Sequence, residues 1–319
     1  SINSIHFTEL PNVAPMYYMV QKDFEAQKMY EKGLSISNLF KTSSLGIQTH
    51  RDDFAVAFTK DEIKERFKDF FNVDDIPNEK LISKYKLKET KDWQLNKFRK
   101  DTFQENKIKK IDYRFFDTRY TYYSRNVIDR DRKNVMRHLL DKNHALTFSK
   151  QLSIMGYQHI FVSNNIQESC LISLKTKEGG YTFPLYLYPE TNAQQTLSHN
   201  TENTAVTQKG RTPNLNEKIV KQIAENLGLE FVPDHEMLKQ VQHDKYFTPL
   251  DILDYIYAVL HSPSYRETFK EFLRIDFPKV PYPKEKDTFW QLVKLGGEIR
   301  QLHLLEGPQL DNYITSYPV

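Results

Sequence analysis

Cysteine is nearly missing from this chain: Cys170 stands alone among 319 residues. One cysteine excludes an internal disulfide framework and a thiolate zinc cluster, and it fits a reducing cytoplasm. No run of about eighteen apolar residues occurs, so a membrane span has no support. The first ten residues, SINSIHFTEL, lack the basic-then-apolar layout of a secretory signal. Catalytic signatures are equally scarce. There is no G-x-G-x-x-G after a strand, no G-x-x-x-x-G-K-[ST], no G-x-S-x-G and no H-E-x-x-H, so the chemistries those motifs carry go unsupported. His235 and His243 sit near Glu236 and Asp244, but that spacing defines no metal site.

What is present suits a folded protein of one large or two modest domains, with 39% hydrophobic and 13% aromatic residues to fill a core. Net charge is only +3 but unevenly placed: residues 84–150 hold 19 Lys and Arg against 9 Asp and Glu. That local +10 leaves −7 for the rest, the footprint of a polyanion site on a near-neutral body.

Along the chain, VAPMYYMV (13–20) reads as a buried strand and FAVAF (54–58) as an inner strand. Thr59 and Glu62 form a capping box at the start of a helix over TKDEIKERFKDFF, with Ile63, Phe67 and Phe70 or Phe71 on one face. Beyond the lysine-rich stretch at 84–110 the period changes to two. IKKIDYRFF and TRYTYY read as paired strands, NVMRHLLD as a short helix, and HALTFS, YQHIFVS, SCLISL and TFPLYLYP as further strands. The tract 191–214 is polar and aperiodic, a loop or linker. Everything after it reads as helix, with Thr248 and Pro249 opening one of them. The expected class is therefore α+β: a sheet-containing N-terminal part over 1–190, a linker over 191–214, and a mostly helical part over 215–319.

The densest chemistry lies in IDYRFFDTRYTYYSRNVIDRDRKNVMRH (111–138), where Arg114, Arg119, Arg125, Arg130, Arg132 and Arg137 alternate with tyrosines and phenylalanines. A guanidinium offers a planar fork to phosphate or to a guanine edge, and tyrosine adds a flat amphipathic surface. The same residues also suit a structural network, since Tyr113, Phe115, Tyr120 and Tyr122 alternate like the inner face of a strand. Asp112, Asp117, Asp129 and Asp131 are then available to pair the arginines. The loop 41–52, with Ser43, Ser44, Gly46, Gln48, Thr49, His50 and Arg51, is a second candidate for phosphate and base contacts. Lys209 and Arg211 form a third. Asp53 with Glu62 and Lys64 resembles the acidic residue and E-x-K of metal-dependent nucleases, but that E-x-K falls inside a capped helix.

Four segments occur together in order: SSLGIQTHRDDFAVAF; IDYRFFDTRYTYY followed by VMRH; HIFVSNNIQESCLISLKTKEGGYTFPLYLYP; and DILDYIYAVLHSPSYRETFKEFLRIDFPKVPYP with FWQLVKLGGEIRQLHLLE. In this combination the chain, from about His6 to Glu306, resembles the C-terminal specificity domain of single-polypeptide type I and fused type IIG restriction-modification enzymes. The resemblance implies a non-catalytic target-recognition domain for double-stranded DNA in a bacterial cytoplasm. It also implies an adenine methyltransferase module just upstream in the same polypeptide, with S-adenosylmethionine, magnesium and, in motor-bearing members, ATP held by upstream modules rather than here. The start at Ser1 rather than Met and the absent catalytic motifs then share one explanation, a part of a larger enzyme.

The expected DNA contacts are Thr49, His50, Arg51, Arg114, Arg119, Tyr122, Tyr123, Arg125, Arg130, Arg132, Lys209 and Arg211, with no catalytic or metal residue. Positions shared across the family, among them Arg114, Arg119, Tyr122 and Tyr123, suit scaffold or phosphate roles. Base readout is expected from 84–110, 191–212 and parts of 41–51. Two rivals remain: the nuclease using Asp53, Glu62 and Lys64, and an interaction module exposing an apolar patch near Ile252, Tyr257 or Phe289.

Overall fold

The computed structural model describes residues 9, 10, 12, 23–153, 156–174, 176, 178–190, 210–234, 245–307 and 310. The strand expected at 13–20 and the histidine pair at 235 and 243 lie outside them, as does most of the 191–214 tract. The described chain begins with α1 (Phe24–Glu31), capped by Asp23, whose carboxylate accepts from the backbone of Glu25 and Ala26. Next come β1 (Leu34–Ser35), β2 (Ser44–Leu45) and β3 (Val56–Ala57). The run FAVAF is thus only partly strand, because Asp52–Ala55 forms a single helical turn. α2 (Lys60–Phe71) opens with the expected Thr59/Glu62 capping box and buries Ile63, Phe67 and Phe70; α3 (Asn78–Tyr85) follows.

β4 (Ile108–Arg114) and β5 (Asp117–Tyr122) pair antiparallel, as their alternation indicates. The next strands are β6 (Ala145–Ser149), β7 (Ile160–Ser163), β8 (Ile166–Gln167) and β9 (Gly180–Pro184). SCLISL is not a strand. Two four-stranded sheets result, in the orders β2-β9-β6-β7 and β3-β5-β4-β8, the second containing one parallel pair, β4 with β8. Every residue of β6 is buried, which marks a strand covered on both faces. One face carries Leu146 and Phe148 into the helical side of the molecule. On the other, Thr147 and its cross-strand neighbour Thr182 both donate to Gln167 Oε1, at 2.7 and 2.9 Å, and so join the two sheets.

The later chain supplies α4 (Glu217–Leu227), α5 (Pro249–His261), α6 (Pro263–Leu273) and α7 (Lys286–His303). The fold class is α+β, but helices also lie in the N-terminal part and short strands in the C-terminal one. β1 pairs with Lys279–Val280. α1 lies against α6, with the Tyr30 ring stacked on Phe272 at 5.2 Å and its hydroxyl accepting from Lys279 N. One apolar core therefore combines residues 26–40, parts of β6, β7 and β9, and the helices from 215 to 293. The other is built almost wholly from 47–139 and covers α2, with Phe67 stacked on Tyr122 at 4.6 Å. The cores divide the chain differently from a partition near residue 190. Ile252, Tyr257 and Phe289 are 2%, 0% and 1% exposed, so the apolar patch expected there is interior packing.

α5 and α7 approach so closely that a Cβ on Gly296 would fall 1.8 Å from the Asp254 carbonyl oxygen. One turn on, Arg300 grips the buried Asp254 carboxylate at 2.6 and 3.0 Å. Backbone cannot yield as a side chain does, so Gly296→Ala is expected to destabilise the protein by about 3 kcal/mol. In urea unfolding the midpoint should fall with little change in slope.

Candidate nucleic-acid interface

Two stretches far apart in sequence close on one cleft. Gln48 and Arg130 exchange backbone hydrogen bonds of 3.1 and 3.0 Å, and beside this bridge opens a cleft of about 780 Å³. Its walls carry Lys41, Arg125, Arg130, Arg132 and Lys133 against two carboxylates, Asp129 and Asp131; Thr42, Ser43, Ser44 and Asn134 add short polar groups. The loop 41–51 is seated by Gly46, where a Cβ would meet the Glu168 backbone at 2.6 Å. Only glycine permits that approach.

The cations in the cleft are not equally available. Arg125 is 79% exposed, with Asp131 as its nearest carboxylate at 3.8 Å. Lys41 reaches Glu217 at 3.0 Å on the rim. Arg130 is exposed, and its side chain has no hydrogen bond or ion pair among the described residues. Asp129 is occupied: it accepts from Arg51 Nη2 at 2.7 Å and from His50 Nδ1 at 2.8 Å. Burial pushes the Asp129 carboxyl up, but the hydrogen bonds and charges of Arg51 and His50 outweigh it and hold the group below its ordinary value.

Several expected contacts are withdrawn from solvent. Arg51 has a side chain only 9% exposed. Its guanidinium lies 4.1 Å over Trp93 and donates to the carbonyls of Thr49 and Val127. Thr49 is 1% exposed and hydrogen-bonds Asp52. Tyr122 is fully buried, with its hydroxyl accepting from Gln104 N at 3.1 Å. These three side chains are buried or nearly so and are held by partners within the chain. Tyr123 turns its hydroxyl to the Asp131 carbonyl at 2.8 Å, so it braces the cleft rather than facing out of it.

Arg114 pairs with Glu168 at 2.7 Å and lies over Tyr113. Arg119 binds Asp117 through two nitrogens and is sandwiched 4.2 Å from both Phe58 and Tyr113. Arg211 is locked on Asp234 at 2.7 and 2.6 Å, over the Tyr186 ring. None of these three lines the cleft. His50 is exposed on a neighbouring lip with Lys86 and Lys88; Lys209 lies outside the described residues. Of the expected contacts, the cleft gathers Arg125, Arg130 and Arg132. Lys133 and Asn134 went unnoticed in the sequence, although they directly follow the Arg-Asp-Arg run.

The nuclease reading loses its parts. Glu62 Oε2 accepts from Thr59 N and Oγ1 as a helix cap, and Lys64 is paired with Glu105 at 2.8 Å. Among the described residues no group of three His, Cys, Asp or Glu side chains is placed to hold a metal, and no helix is long and apolar enough to cross a membrane.

The arginine-bearing cleft thus sits beside two joined sheets that helices brace. The chain belongs to the Type ISP C-terminal specificity domain family, whose profile matches residues 38–319. Its fold is shared with a DrdV–DNA complex (21% identity, TM-score 0.61, over 95% of this chain). It is shared too with the ATP-dependent Type ISP restriction-modification enzyme LlaBIII bound to DNA (19%, 0.59, 88%). A third such structure is a nuclease-deletion mutant of the Type ISP enzyme LlaGI with a DNA substrate mimic (20%, 0.58, 95%). The match spans 28%, 17% and 26% of those chains. No curated protein sequence matches this chain.

Because the folded Asp129 carboxyl titrates below its unfolded counterpart, its stabilisation is complete above about pH 4 and is lost as pH falls through the folded value. Asp129→Asn should therefore lower stability at pH 7 by about 2 kcal/mol. The gap to the wild type should close on acidification, as read from chemical unfolding at a series of pH values.

Proposed function

We propose that this chain is the sequence-reading, non-catalytic part of a restriction-modification enzyme and that it seats double-stranded DNA against the cleft between 41–44 and 125–134. The observation that carries the reading is the imbalance of that cleft: five cations line it against two carboxylates, one of which is already paired with Arg51, and only Lys41 reaches a further acid, Glu217 on the rim. A surplus of positive charge beside hydroxyl and amide groups matches a phosphate backbone next to base edges. Family membership supports it, as do structural neighbours that were solved with DNA.

In this reading an adenine methyltransferase module of the same polypeptide would use the bound site. S-adenosylmethionine, magnesium and, in a parent with a motor, ATP would belong to that module and to others upstream. Arg125 and Arg130 would give affinity for any duplex, whereas Ser43 and Asn134 would offer a hydroxyl and an amide to base edges. Arg114 and Arg119, each already paired with a carboxylate, act as scaffold.

The test is binding to random-sequence duplex at two salt concentrations. Wild-type affinity should fall steeply with salt. Arg125→Ala and Arg130→Ala should each weaken binding several-fold, irrespective of sequence, and flatten the salt slope by about one. Unchanged binding by both variants at matched salt would move the DNA face elsewhere. Cleavage of plasmid by the pure chain with magnesium would overturn the non-catalytic assignment.

A further inference from the structure

Within the cleft Arg132 stands apart. Its backbone lies in the left-handed region, at φ +49°, a conformation that disfavours a side chain by about 1 kcal/mol and suits glycine. The position is over-determined from both sides. Tyr123 hydrogen-bonds the Asp131 carbonyl just before it, and the amides of Val135 and Met136 both donate to the Arg132 carbonyl at 2.9 Å just after it. A second observation is independent of the first. Arg132 Nε is buried with no hydrogen-bond partner, although an unsatisfied buried donor is among the more destabilising features a fold can carry. The neighbouring carboxylates do not relieve it: Asp129 holds Arg51 and His50, and the side chain of Asp131 faces Arg125.

We infer that Arg132 is a pre-strained phosphate anchor, whose guanidinium turns out from under the lip of the cleft when a phosphodiester oxygen arrives as the acceptor the protein lacks. Backbone strain persists where the surrounding structure over-determines it and clusters at ligand clamps, and an unmet donor is satisfied when a ligand brings the acceptor. The contact is to backbone phosphate and so blind to sequence. The assignment deepens the reading of the cleft as the duplex-facing site and rests on it for the source of the phosphate, though not for the anion site itself.

The experiment compares the full chain with Arg132→Gly and Arg132→Lys in two measurements: binding to random-sequence duplex at fixed salt, and thermal melting with and without inorganic phosphate. Arg132→Gly should melt at or above the wild-type temperature yet bind duplex about ten-fold more weakly, with a salt slope shallower by about one. Arg132→Lys keeps the charge without the fork and should fall between the two. Phosphate should raise the melting temperature of the wild type and leave Arg132→Gly unmoved. Equal duplex binding by wild type and both variants would overturn the anchor and leave DNA reading intact. A wild type that binds no duplex but is still stabilised by phosphate, unlike Arg132→Gly, would keep the anion site and sink the DNA reading. Neither response in the wild type would sink both. A lower melting temperature in Arg132→Gly would overturn the strain.

Discussion

The hydrogen-bonded pair of Arg51 and Asp129 is the joint on which the cleft depends. It ties a loop that leaves the first sheet to a turn that leaves the second, across 78 residues of sequence. Trp93 covers the guanidinium and itself donates to the Asn126 carbonyl at 2.8 Å, so three separate segments meet at one arginine. A charge so nearly buried is stable only with its partner in place. Geometry in the cleft is thus set in part by an ion pair whose carboxylate lies in the wall and whose arginine lies behind it.

This arrangement sorts the arginines into two populations. Those on the β4–β5 ladder and at 211 are matched to carboxylates and stacked on rings, where they stiffen the molecule. Those that follow β5 lie on a chain with too few acids to match them. The surplus arises because Asp129 is drawn away by Arg51 and His50, leaving Arg130 and Arg132 without it. A local excess of positive charge can therefore be produced by diverting an anion, with no added cation.

Much of the framework was legible in the sequence. The Thr59/Glu62 and Thr248/Pro249 signatures each open a helix, and the alternation through 108–122 marks a hairpin whose Tyr122 points inward. The family resemblance, too, was carried by residues in plain view. What could not be read was which arginine would be neutralised, because the deciding acids are remote: Glu168 for Arg114, Asp129 for Arg51, Asp234 for Arg211. Local pattern reports which side of a strand a residue takes. It does not report what the rest of the chain later brings to that side, which is why Arg51 and Thr49 looked like surface groups and prove to be internal.

The interleaving of the two cores also bears on the order in which the molecule can be assembled. Residues 47–139 hold nearly everything their own core requires, so that unit can close while the ribosome is still at work on the rest. α1 and β1 are made earlier yet must wait, since their partners, α6 and the Lys279–Val280 strand, emerge some 240 residues later. Contacts of such long range form slowly. The nascent chain therefore carries the half-finished apolar surface of residues 26–40 beside an already completed neighbour, until the helices made some 200 residues later come to cover it.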